Sequence, residues 1–359
     1  MPGIGISPCP PFTKPPLAPG VLYDGNTVAW YKHNDLRTVF QDGANRVNHW
    51  LDRMNYAIGA DLIAGWDFTV GWVAGGGAVI IDENTFTGAI INDFIRAAAF
   101  PLVANTTYRV TYSWQITAGT NLLINDFNNA TTYNTFAGNG AVQTGEFCFT
   151  TTVAPAGVGI SLAVNGGMPC QVDIFHLEIE PIAGNHLLQN NAAKQPLHSM
   201  ADGVLFDGLN DYMQTLPFVY NQPEFIYFVG RQITWTLNDY FFDGTILNTG
   251  YIYQSAIIPE IKGMAQFASA TNNNLILNIF SIIRLLLNGV NSSLQVNLTV
   301  PVLWNCGVGN MTGFTISSSG VYALSANIEI KEIILRNVAD GAGVQAEIYN
   351  YLRNANGCG

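Results

Sequence analysis

The sequence predicts an all-β protein built from antiparallel sandwiches and closed by one short helix. Only 11% of its 359 residues are Asp, Glu, Lys or Arg, whereas helical surfaces draw heavily on Lys, Glu and Arg. Apolar residues alternate with Asn, Thr, Ser and Gly over long stretches, the period of a half-buried strand. Asn-Gly pairs, 165–166 and 288–289, fall beside such runs and mark turns.

The elements follow in chain order. Residues 8–20, PCPPFTKPPLAPG, hold six prolines, which favour an extended arm. Such an arm is either a spacer or a peptide that docks into an assembly. In TYRVTYSWQIT, Tyr108, Val110, Tyr112, Trp114 and Ile116 share one strand face, and Tyr112 and Trp114 are expected to pack. EFCFT places Phe147 and Phe149 together, and GVGISLAVNG does the same for Val158, Ile160, Leu162 and Val164. From Gly203 a second set of strands runs through GVLFDG, EFIYFVGRQITW, DYFFDG, NLILNIF and IIRLLLNGVNSSLQVNL. In NIEIKEIILRNV the apolar parity shifts between Ile330 and Ile333, which predicts a β-bulge. Beyond it Val344, Ile348, Tyr351 and Leu352 line one face of a short helix.

Charge excludes one class of partner. A net charge of −11 with 14 Lys and Arg leaves no basic footprint for nucleic acid. The N-terminus lacks a signal-peptide pattern, and the longest apolar run, 275–290, is too short for a membrane span and contains Arg284. Five cysteines without a CxxC pair give no zinc or redox motif. Cys148 and Cys170 are within reach of a bridge across one sandwich, but free buried thiols are the expectation.

Several segments together carry a resemblance. GVLFDGLNDYMQT (203–215), QITWTLNDYFFDG (232–244), IIRLLLNGVNSSLQVN (282–297) and residues 328–352 resemble the laminin-G-like, concanavalin A-like lectin modules of phage virion proteins. In that family a W-x-D-x-x-G-x-G-N-H-L segment precedes the FDG strand. Here its halves are apart, at DGANRVNHWLDRMN (42–55) and GNHLLQNNAAKQPL (184–197). The resemblance therefore implies one sandwich, residues 21–56 plus 184–359, interrupted by an insertion at 57–183. The insertion, opening GADLIAGWDFTVGW and closing VDIFHLEIEPI, resembles a jelly-roll carbohydrate-binding module. That resemblance implies a structural calcium near Asp173, though no cofactor is required.

Sugar recognition needs aromatic platforms with amides and carboxylates. INDFNNATTYNTF reads as an exposed loop supplying Asn125, Asp126, Phe127, Asn128 and Tyr133; NDYFF and GYIYQ supply Tyr240, Tyr251 and Tyr253. Glycoside hydrolysis needs two carboxyl groups roughly 5–10 Å apart. The nearest candidates, Glu178 with Glu180 and Glu329 with Glu332, read as solvated faces of edge strands. Asp207 and Asp211 read as turn residues, His186 as packing, and the five histidines lack metal-ligand spacing.

The expectation is a non-enzymatic phage virion surface protein, of spike or tail-fibre type, assembled in the host cytoplasm. It binds host-surface polysaccharide, contacts other virion proteins through its arm, and forms a trimer or pentamer. The rival is a capsid or tail decoration protein making protein contacts only. A depolymerising hydrolase is disfavoured by the missing carboxylate pair.

Overall fold

A computed structural model describes residues 18–358 apart from 55–56, 89–90, 98–101, 152–158, 167–168 and 266–267. Most of the proline-rich arm with Cys9, the break near Asn55 and Val158 lie outside the described residues. The fold is all-β with antiparallel sheets and one helix, Ala342–Asn356. Its chain forms two compact units: Asp35–Leu197 with Met213–Phe218, and 18–34 with His198–Tyr212 and Val219–Gly359.

In the first unit two sheets face each other. One runs Thr132–Ala137, Asn121–Asp126, Ile160–Asn165, Asp93–Ala97, Trp72–Gly75; the other runs Val142–Thr150, Thr107–Ile116, Cys170–Ala183, Thr85–Gly88, Val79–Ile80. The predicted alternation is realised: Tyr108, Val110, Trp114 and Ile116 enter the core with Phe147, Phe149, Leu162 and Val164. Tyr112 packs as expected, its ring stacked on Trp114 at 4.0 Å. In the same unit Leu187 and Leu188 pair with Trp50 and His49, and Asp52 N–H donates to His186 Nδ1 at 3.0 Å. The chain thus leaves and re-enters this strand pair side by side, with His186 buried as a packing residue whose pKa burial lowers to about 4.

The second unit is also a sandwich. Its larger sheet places Asn327–Arg336 inside, with Glu224–Gln232 on one side and both Gly203–Asp207 and Thr27–Lys32 on the other. The opposing sheet runs Thr315–Ile316, Tyr240–Asp243, Tyr251–Gln254, Ile261–Ala265, Ala268–Asn272. Phe228 of the first sheet meets Phe241 and Phe242 of the second at 6.1 and 6.0 Å. The predicted bulge is present, since Val229 faces Glu332 and Gly230 faces Ile330, leaving Lys331 as the extra residue. Asn288-Gly289 does join a hairpin, but through a 3-10 turn at Gly289–Asn291. Ile348, Tyr351 and Leu352 bury the helix face, joined by Tyr349, while Val344 is half-buried.

One expectation is overturned here. Glu329 and Glu332 are not solvated edge residues, because Asn327–Arg336 is an interior strand. Glu332 is fully buried and accepts from Trp30 Nε1 (2.7 Å), Tyr351 Oη (2.8 Å) and Asn356 Nδ2 (2.7 Å), with Lys32 Nζ at 3.7 Å. Glu329 accepts from Arg231 Nε at 2.5 Å.

Candidate binding sites

The first unit holds a cavity of about 300 Å³, at the small end of ligand pockets. Four segments build it. The turn at Asp42 and the following strand bring Asp42, Asn48 and His49. Residues 131–134 and 148–150 bring Thr131, Thr132, Tyr133, Asn134, Phe149 and Thr150. The segment after His186 brings Asn190 and Gln195.

Tyr133 lies against Phe149, ring centroids 4.2 Å apart at 21°, and Phe149 in turn stacks on Tyr108 at 5.3 Å. This stack fixes the Tyr133 ring as a rigid wall; burial, with Asp126 nearby, raises its hydroxyl to about 12, so it stays a neutral donor. Asp42 accepts from the Ala44 and Arg46 N–H groups and pairs with Arg46 Nε at 3.0 Å. His49 approaches Thr150 Oγ1 at 3.2 Å, and burial holds its pKa down at about 3, so it too is neutral. Gln195 Nε2 donates to the Gln189 carbonyl at 2.8 Å, which anchors the amide. The cavity therefore offers an aromatic wall, four side-chain amides, several hydroxyls and one carboxylate.

Tyr133 was anticipated from sequence; its neighbours in the chain go elsewhere. Residues 124–136 form not an exposed loop but the two strands Asn121–Asp126 and Thr132–Ala137. Asn125 and Asp126 also pair with Ser161 and Ile160, which buries them to 3% and 0% exposure. Asn125 donates to Asn129 Oδ1, and Asp126 Oδ1 accepts from Ala130 N–H, while Asn125 Oδ1 and Asp126 Oδ2 have no partner among the described residues. At the turn, Phe127 lies 4.5 Å from the Arg96 guanidinium, and Asn128 is exposed. Asn48, Asn134, Asn190 and Gln195 were missed. Asn48 and Asn190 belong to the two split motif halves, whose pattern signals architecture and not binding.

In the second unit Tyr240, Tyr251 and Tyr253 do come together. Their rings are 5.2 to 5.8 Å apart, on the sheet face opposite the buried Ile252. Tyr240 Oη donates to Asn248 Oδ1 at 3.0 Å, and Tyr251 Oη approaches Met264 Sδ at 3.2 Å. Tyr251 is buried, so Tyr240 and Tyr253 present the half-exposed surface. Lys262 faces Tyr253 across the strand pair.

Glu180 is bound by Arg109 at 2.9 Å and Glu178 approaches His176 at 3.5 Å. Asp173 does not fit a calcium: donors, the Gln171 amide and Thr85 hydroxyl, occupy its carboxylate. Asp207 caps the turn it opens, accepting from the N–H groups of Leu209 and Asn210. Among the described residues no three His, Cys, Asp or Glu side chains are grouped to hold a metal, and Cys148, Cys170, Cys306 and Cys358 are buried and unbridged. No helix among them is long and apolar enough to cross a membrane.

No family model and no curated protein matches the chain. Solved structures do. A Trypanosoma rangeli sialidase aligns at 10% identity and TM-score 0.37, covering 47% of this chain and 29% of the sialidase. A carbohydrate-binding module of Cellvibrio mixtus lichenase 5A, in complex with cellotriose, aligns at 11% identity and TM-score 0.22, covering 43% of this chain and 96% of the module. The exoplasmic/lumenal domain of VIP36, in a Ca2+/Man3GlcNAc-bound form, aligns at 10% identity and TM-score 0.28, covering 43% of this chain and 86% of that domain. The chain spans under a third of the sialidase. Similarity of this size identifies neither ligand nor activity.

Proposed function

We propose that the protein binds glycans without catalysis, through the cavity beside Tyr133. The observation that carries this is the pairing of a fixed aromatic wall with four amides in a concave site. A ring face accepts the C–H surface of a sugar, and amides satisfy adjacent hydroxyls in both directions. Tyr240 and Tyr253 supply a second, flatter surface.

In the fuller reading the chain is a phage virion surface protein recognising host-surface polysaccharide. Its arm contacts other virion proteins, and a trimer or pentamer multiplies weak sites. The sequence resemblance to lectin modules of phage virion proteins supports this setting. The adjacency of Trp50 and Leu187 supports an interrupted sandwich, residues 21–56 plus 184–359, carrying 57–183 as an insertion. Absence of catalysis is supported by Glu329 and Glu332 being committed to internal partners.

The test is binding of the full chain to host cells and extracted surface polysaccharide, beside Tyr133→Ala and Asn134→Ala. Saturable binding that weakens about tenfold or more in both variants supports the cavity. Binding unchanged by either places recognition elsewhere, and sugar release that tracks Glu178 would overturn the non-catalytic reading.

A decoration role is favoured by one observation. Val290, Val300, Leu303 and Val308 are 71–84% exposed around the strand Val302–Trp304, which ends the larger sheet of the second unit. Stable assembly with a capsid partner and no glycan affinity would favour it.

A further inference from the structure

A cavity of about 660 Å³ lies in the second unit at the C-terminal end of the helix. It is lined by Asn278, Ile279, Phe280, Arg353, Asn354 and Cys358. Cations gather here in a chain whose net charge is −11. Lys331 Nζ stands 4.1 Å and the Arg231 guanidinium 4.8 Å from the Phe280 ring centroid. Arg353 adds a third, exposed on the cavity wall.

Their partners differ. Arg231 is neutralised by Glu329 at 2.5 Å, with Asp202 at 3.9 Å. Lys331 and Arg353 have no carboxylate within ion-pair distance among the described residues; Lys331 donates to the Asn356 carbonyl at 3.1 Å. That bond caps the helix end and masks the negative pole that would repel an anion. The nearby Glu332 is buried and turned into its own network. Arg353 thus lines a cavity with amides at Asn278 and Asn354 and an apolar wall at Ile279 and Phe280, and Lys331 adds a second positive charge against the Phe280 ring.

We infer that this cavity is an anion subsite taking a carboxylate or sulfate ester carried on a sugar. Arg353 binds the oxyanion, Lys331 adds positive charge beside Phe280, Asn278 and Asn354 meet ring hydroxyls, and Ile279 meets the apolar sugar face. The inference rests on the glycan reading for the sugar ring but not for the anion. The bulge supports it: as the extra residue, Lys331 escapes the strand alternation and reaches Phe280 while Glu332 turns inward.

The experiment is calorimetry on the full chain with oligogalacturonate, its neutral methyl ester, glucuronate and inorganic sulfate. The variants are Arg353→Gln, Lys331→Gln and Tyr133→Ala. The expected result is binding of the acid over the ester, weakened about tenfold by Arg353→Gln and by added salt, and unchanged in Tyr133→Ala. Arg353 is exposed, so its variant folds even if Lys331→Gln frays the helix end. Sulfate binding that needs Arg353, with no saccharide bound at all, keeps the anion site and sinks the glycan reading. Equal binding of acid and ester, or acid binding indifferent to Arg353, overturns the anion site and leaves the glycan reading standing. No binding of any anion overturns it as well.

Discussion

Trp30 donates its indole N–H to Glu332 at 2.7 Å, joining two residues 302 positions apart in the chain. The same carboxylate accepts from Tyr351 and Asn356, so one buried charge holds the strand Thr27–Lys32, the strand Asn327–Arg336 and the helix.

Removing that acceptor strands its donors. Glu332→Ala should destabilise the second unit by about 3–5 kcal/mol, because Lys32 and three neutral donors lose their partner together. Trp30→Phe, which leaves the carboxylate satisfied by the others, should cost about 1–3 kcal/mol. Denaturant unfolding followed by tryptophan fluorescence and far-UV dichroism measures both; a neutral Glu332→Ala would mean the network contributes nothing.

Glu224 gives stability a pH dependence. Burial raises its pKa from 4.5 to about 8, and only Met311 N–H, at 2.7 Å to Oε1, opposes the shift. The folded chain therefore binds a proton that the unfolded chain has released. Stability is greatest below the unfolded pKa and declines as pH rises from about 4.5 towards 8. Glu224→Gln keeps the acceptor for Met311 and should flatten this decline, raising the melting temperature at pH 8 by roughly 2–4 °C for each kcal/mol recovered. Parallel melting curves of the two proteins across that window would contradict the assignment.

Binding at the Tyr133 cavity should show no such slope. His49, its one histidine, is held neutral far below physiological pH. Affinity for a neutral glycan should stay flat from pH 5 to 8, read by titration at several pH values, and a step near 6.5 would show that His49 titrates normally.

Gly320 is closed in by backbone. A Cβ there would meet Ile246 C and Leu247 N at 2.8 Å and Gly244 O at 2.9 Å, none of which a side-chain rotation relieves. Gly320 N–H also donates to the buried Asp243, which binds Asn248 N–H too. Gly320→Ala should cost about 1–3 kcal/mol and weaken any ligand held at Tyr240, whose hydroxyl leans on Asn248. Thermal melts and binding by the same preparation separate the two effects.

Alternation made much of the fold legible, because strand period is local and needs no knowledge of partners. The bulge at Lys331 was readable for the same reason: parity breaks in the sequence itself. The place of a strand within its sheet is not local. Glu329 and Glu332 look like edge residues until Thr27–Lys32 and Gly203–Asp207 arrive from far away to cover them. Asn125 and Asp126 were misread as loop for a related reason, since polar side chains buried in a strand pair carry the composition of a turn. The cavity could not be read because its walls come from four separate segments; only Tyr133, an aromatic in polar surroundings, announced itself.

The pairing of Thr27–Lys32 with Asn327–Arg336 has a mechanical consequence. Thr27 faces Arg336 and Lys32 faces Glu332, so the strand runs alongside its partner with its hydrogen bonds perpendicular to the chain. A pull along that strand from its N-terminal side loads every rung at once, whereas a pull across it would peel them singly. An attachment made upstream of residue 27 would therefore carry tension into the unit in shear, the direction in which a β-ladder yields last.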